Sequence, residues 1–137
     1  MADIRKVTDD FAVAPQIDLE DMAGVAALGY RLVINNRPDG EAPDQPSGAD
    51  MAKAAEAAGL AYIAIPVRGG PTADQIDAMQ DAVKGAKGPV FAFCRSGTRS
   101  IVTWSVGQAR HGLRSKDELI ELGRNAGYDL TGPLASF

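Results

Sequence analysis

The chain has one cysteine, one histidine and one tryptophan, and these scarcities exclude several kinds of protein. A lone cysteine, Cys94, closes no internal disulfide, and with a lone histidine there is no Cys/His spacing for a metal site. No apolar run approaches the roughly 20 residues needed to cross a bilayer. The opening MADIRKVTDD has no apolar core, so it does not read as a secretion signal. Basic residues form no stripe, and the formal net charge of −4 argues against a broad nucleic-acid footprint. There is no internal repeat and no low-complexity tract. What is present is the composition of an ordinary globular protein, with 137 residues to build a core. The expectation is one cytoplasmic domain over 1–137, with no metal, no cofactor, and neither a membrane nor a nucleic acid as partner.

Apolar runs alternate with amphipathic stretches along the chain. Phe11 to Ala14 reads as a strand closed by Pro15, and Asp18 as the N-cap of a helix to about Leu28, striped by Met22, Val25 and Ala26. Arg31 to Ile34 is a buried strand, after which NNRPDGEAPDQPSG is a long loop. Ala49 to Ala58 is an alanine-rich helix, and Leu60 to Val67 is the next strand. After the turn RGGP, Thr72 caps a helix from about Ala73 to Ala86 that places Ile76, Met79 and Val83 on one face. Val90 to Phe93 is a strand, a helix follows from about Arg99 to Ala109, and Ser115 caps a last helix to about Ala126 with Leu119, Ile120 and Leu122 inward. This alternation predicts an α/β fold, a central and mostly parallel sheet flanked by helices on both faces. In such sheets, ligands bind beyond the carboxyl ends of the strands.

Cys94 lies at such an end, in FAFCRSGTRS. A loop leaving a strand and entering a helix turns backbone N–H groups inward, forming an anion-binding nest at the helix N-terminus. Arg95, Ser96, Gly97 and Thr98 form this loop, and Gly97 permits a backbone angle other residues resist. The Arg99 fork is suited to grip two anion oxygens. Ser100 is placed to donate its hydroxyl to the sulfur, and the positive field favours the thiolate, the nucleophilic form of cysteine. Arg68, just past a strand, reads either as a holder of a second anionic group or as a solvated turn charge. Asn35, Asn36 and Arg37 either line the pocket or pin the long loop. Ile101 and Trp104 read as core, and His111 as a helix-end residue.

VINNRPDGE (Val33 to Glu41), AGLAYIAIPV (Ala58 to Val67), CRSGTRS (Cys94 to Ser100) and AGYDL (Ala126 to Leu130) together resemble the phosphatase-like domain of the beta-lactamase-hydrolase-like proteins. The resemblance runs from Phe11 to Leu130 and implies a fold like that of the dual-specificity and tyrosine phosphatases. The chain departs from the phosphatase pattern in three ways. Four residues, not five, separate Cys94 from Arg99, a length and string similar to the rhodanese sulfurtransferases. Phe93 stands where those phosphatases commonly have histidine. The loop Val67 to Pro71 carries no carboxylate to protonate a leaving group, which leaves only Asp39 and Asp74 as candidate general acids.

These departures favour sulfur transfer. Cys94 would take sulfur from thiosulfate or a persulfide, releasing a leaving group that needs no acid. An external thiol would then accept the sulfur, because the chain has no second cysteine. The alternative is phosphomonoester hydrolysis through a phosphocysteine, and a third reading is an anion-binding module without turnover. All three take a small anionic partner.

Overall fold

The computed structural model describes residues 2–137. Five strands form one sheet: β1 (Arg5–Lys6), β2 (Phe11–Ala14), β3 (Leu32–Asn35), β4 (Ala61–Ala64) and β5 (Val90–Phe93). Their order is β1-β2-β5-β3-β4; β1 runs antiparallel to β2, and all other pairs are parallel. The sheet is therefore mixed, with helices on both faces. The helices are α1 (Asp21–Ala27), α2 (Gly48–Ala57), α3 (Ala73–Gly85), α4 (Thr98–Arg110) and α5 (Lys116–Asn125).

The period-two alternation of the strands sorts the core into two layers. Phe11, Val13, Leu32, Ile34, Val90 and Ala92 face Met79 of α3, Ile101 and Trp104 of α4 and Leu119 of α5. Ala12, Ala14, Val33, Phe91 and Phe93 face Met22 and Val25 of α1 and Met51 and Ala55 of α2. Trp104 is buried, its ring stacked on Phe11 at 4.8 Å, and Arg114 lies over its outer face.

Local chemistry explains most element ends. Thr72 forms a complete capping box with Gln75, and the Ser47 and Ser115 hydroxyls accept from the third residue of their helices. Two expectations need correction, and one strand goes unannounced. Asp18 does not cap α1: the helix starts three residues later, and it is the Asp21 carboxylate that accepts the Asp18 N–H, at 2.8 Å. The strand expected over Leu60 to Val67 is shorter and forms the sheet edge, with Ala61, Ile63 and Ala64 exposed. Strand β1 has no apolar pattern to announce it, because Arg5 and Lys6 pair through their backbone alone. Beyond α5 the chain turns back and buries Leu130 and Leu134.

Candidate active site

Ala14, Phe93 and Asn35 stand side by side in the register of β2, β5 and β3. Three carboxyl ends therefore meet at one place, with Cys94 at the end of the central strand. Cys94 is fully buried. The Gly97 N–H donates to its Sγ at 3.1 Å. Gly97 has φ +89°, and a Cβ there would overlap the Tyr128 hydroxyl, so the position requires glycine twice over. The loop carbonyls are turned outward: Arg95 O accepts the Gln16 N–H at 3.2 Å, and Ser96 O accepts the Tyr128 hydroxyl at 2.8 Å. In a trans peptide the N–H points opposite the carbonyl. Holding these two carbonyls outward thus turns the N–H groups of Ser96 and Gly97 inward, the geometry of an anion nest.

The guanidinium of Arg99 donates through Nη1 and Nη2 to the two Glu41 carboxylate oxygens, each at 2.8 Å, and through Nη1 to Val67 O at 2.8 Å. Arg37 Nε donates to the same carboxylate at 3.0 Å, and Arg37 Nη1 to Gln16 Oε1 at 3.1 Å. Glu41 therefore ties two arginines together. The bond from Arg99, then that from Arg37, hold its carboxyl at about 2, against an ordinary value of 4.5. It is a fixed anion and not a proton donor at neutral pH. The Arg99 guanidinium is raised above its ordinary value, first by Glu41 and, against desolvation, by the nearby Cys94.

The Ser100 hydroxyl does not donate to the sulfur as expected. It donates to Asn36 Oδ1 at 2.7 Å, and Asn36 Nδ2 in turn donates to Ile65 O at 3.0 Å. Asn36 is fully buried and ties β3, α4 and the segment after β4 together. Asn35 Oδ1 accepts the Arg37 N–H, so the start of the long loop is held from within. The side chains of Ser96 and Thr98 bond each other on the exposed side of the loop. Arg95 and Arg68 are exposed, and their side chains have no ion-pair partner among the described residues. Asp39 Oδ1 accepts the Gly48 N–H at 2.8 Å, which places it at the start of α2. Asp74 is exposed in the first turn of α3. No contact links either aspartate to Cys94 among the described residues. His111 closes α4 and stands 3.5 Å from Asp77, away from the loop.

Glu41, Gln16 and Tyr128 belong to the site and escaped sequence reasoning. Glu41 had a faint signal, its four-residue spacing from Arg37. Tyr128 had only its place in AGYDL. Among the described residues no three His, Cys, Asp or Glu side chains are grouped to hold a metal ion. Among the described residues no helix is long and apolar enough to cross a membrane. A cavity of about 410 Å³ lined by Ile120, Arg124, Tyr128 and Leu130 lies beside the Tyr128 strut, not over Cys94.

Residues 3–111 match the family model described as the phosphatase-like domain of beta-lactamase hydrolase-like protein. A beta-lactamase hydrolase-like protein of Agrobacterium fabrum is 37% identical over 127 residues, which is 91% of this chain and 29% of that protein. One from Xylella fastidiosa is likewise 37% identical over 128 residues, 93% of this chain and 30% of its own length. The chain thus spans under a third of these relatives. Among solved structures, a Neisseria meningitidis protein provisionally assigned as a phosphatase superposes with TM-score 0.85 at 30% identity, covering 97% of this chain and 94% of its own. Pseudomonas aeruginosa TpbA, solved with phosphotyrosine, has TM-score 0.61 at 14% identity, covering 97% of this chain and 88% of its own; it shares the fold.

Proposed function

Because the chain belongs to the phosphatase-like domain family of the beta-lactamase hydrolase-like proteins, we propose that it is a cysteine-dependent phosphomonoester hydrolase. The observation that carries this reading is the Gly97 N–H bond to Cys94 Sγ, in a loop whose Arg95 and Ser96 carbonyls are held by Gln16 and Tyr128, with Arg99 beside it. The sulfur attacks phosphorus, the P–O bond to the leaving group breaks, and a phosphocysteine forms. Water then attacks phosphorus, the P–S bond breaks, and inorganic phosphate leaves with the thiolate restored. Loop N–H groups and Arg99 neutralise the charge on the equatorial oxygens. Glu41 and Val67 O take up the Nη1/Nη2 fork that the sequence offered to the anion and so hold the guanidinium in place, leaving its Nε and one Nη2 N–H for the phosphoryl oxygens. Family and fold favour phosphate over the sulfur transfer expected from loop length, and no external thiol acceptor is then required.

Asp39 is committed to the start of α2, Glu41 is a fixed anion, and the loop after β4 has no carboxylate. Asp74 is exposed in the first turn of α3, so among the described residues no carboxylic acid is positioned to protonate the leaving oxygen. Substrates whose leaving group is a stable anion, such as aryl phosphates, suit this site better than alkyl phosphates. A series of aryl and alkyl phosphates should give kcat/KM values that fall steeply with leaving-group pKa, and Cys94→Ser should abolish turnover. A second reading, sulfur transfer, is favoured by the four residues between Cys94 and Arg99. Thiocyanate formation from thiosulfate and cyanide, without phosphate release from any ester, would replace the first reading by the second.

A further inference from the structure

Tyr128 lies outside the residues matched by the family model, and its part so far is only to hold one loop carbonyl. Its surroundings are nevertheless specific. The Tyr128 hydroxyl donates to Ser96 O at 2.8 Å, and the N–H on the other side of that same peptide, from Gly97, donates to Cys94 Sγ at 3.1 Å. The two bonds are opposite ends of one planar dipole. A donor on the carbonyl fixes the plane of the peptide and polarises it, so the N–H becomes a stronger donor. The fit is close enough that Gly97 has no room for a Cβ.

We propose that Tyr128 is a positioning residue for the nucleophile, acting through the Ser96–Gly97 peptide to stabilise the Cys94 thiolate. The ring is held from behind by Arg5, whose guanidinium lies 5.2 Å from its centroid. The segment is fixed by the bond from the Tyr128 N–H to Gly123 O at 2.8 Å. Burial pushes the Tyr128 hydroxyl up from its ordinary value; Arg5 opposes this and the neighbouring Cys94 adds to it, so the hydroxyl keeps its proton at neutral pH. The charged and titratable groups that interact with Cys94 are Arg99 from α4 and Tyr128 from the returning C-terminal segment, with Glu41 reaching it through Arg99, while the neighbouring Arg95 is exposed. Of these, Tyr128 is the one that acts through a backbone peptide of the loop. The inference rests on the proposed function only in taking Cys94 as the nucleophile.

The test is a pH titration of thiolate ultraviolet absorbance in the whole chain, each variant read against the same variant carrying Cys94→Ser. Tyr128→Phe keeps the ring and removes the donor. The expected result is a thiolate midpoint at higher pH, proton loss being about 3- to 10-fold weaker, as for one net hydrogen bond. The acid limb of kcat/KM should move with it, while the thermal midpoint changes little. An unchanged thiolate midpoint in a folded Tyr128→Phe protein overturns the proposal. Should Tyr128→Phe not fold, 3-fluorotyrosine placed at 128 keeps the shape and strengthens the donor. It should move the midpoint to lower pH, and no movement overturns the proposal. If the wild type hydrolyses no phosphate ester yet the midpoint still shifts, the proposed reaction fails and the positioning role stands.

Discussion

Ser100 shows at the scale of one residue how a motif is readable while its bonding is not. The order strand, cysteine, glycine, arginine, serine, helix is local, so the sequence alone locates Cys94, Gly97 and Arg99. The partner of each side chain is not local. Ser100 and Asn36 are 64 positions apart, as Arg99 and Glu41 are 58 apart, and no periodicity connects them. Glu41 is hard to single out for the same reason, since a carboxylate in a loop rich in Pro, Asp and Gly looks like turn chemistry. The bond from Ser100 to a fully buried amide makes a specific prediction. Ser100→Ala should leave Asn36 Oδ1 unpaired and cost roughly 1–3 kcal/mol in denaturant unfolding. The thiolate midpoint of Cys94 should stay at its wild-type value, because the hydroxyl is spent on Asn36. A raised midpoint with unchanged stability would return Ser100 to the sulfur.

Elements were legible where amphipathic period and caps agree. Helix α3 has the 3.6-residue stripe of Ile76 and Met79, a capping box at Thr72 and a basic last turn at Lys84, and it starts where its sequence says. Helix α1 has no side-chain cap, and its N-cap is Glu20, two residues after the Asp18 that the sequence suggests. LAYIAIPV is apolar throughout and so suggests a longer strand than β4, whose regular pairing with β3 covers Ala61–Ala64, while Ile65 and Val67 bond only to Asn35 O and Asn36 O beyond it. Strand β1 has two residues and no pattern, so only the tertiary pairing defines it. The capping box gives the prediction for this scale. Thr72→Ala removes the side-chain acceptor for the Gln75 N–H and should cost about 1 kcal/mol of stability. Phosphate-ester turnover should be unchanged, because among the described residues no hydrogen bond or ion pair joins α3 to Cys94 or Arg99. Chemical denaturation and a steady-state assay on the same sample test both statements.

At the scale of the molecule, the charge distribution opposes itself. The chain carries a formal net charge of −4, yet Arg95 and Arg68 stand exposed, without an ion-pair partner among the described residues, near an anion nest that holds Arg99. A phosphate dianion is repelled by the whole and attracted by the rim. The two effects differ in range, because the Debye length is about 8 Å at physiological salt. Charges across the molecule are screened there, while the nearby arginines still act, so the local attraction decides capture. Added salt then weakens what remains of that attraction. The expected outcome is a kcat/KM that declines as ionic strength rises, with kcat changing less because the bound ester is held by Arg99 and backbone N–H groups. Arg68→Ala combined with Arg95→Ala should leave net repulsion in control and turn the dependence flat or rising. An unaltered slope in the double variant would mean that these arginines are solvated surface charge and that Arg99 with the loop backbone suffices to draw the anion in.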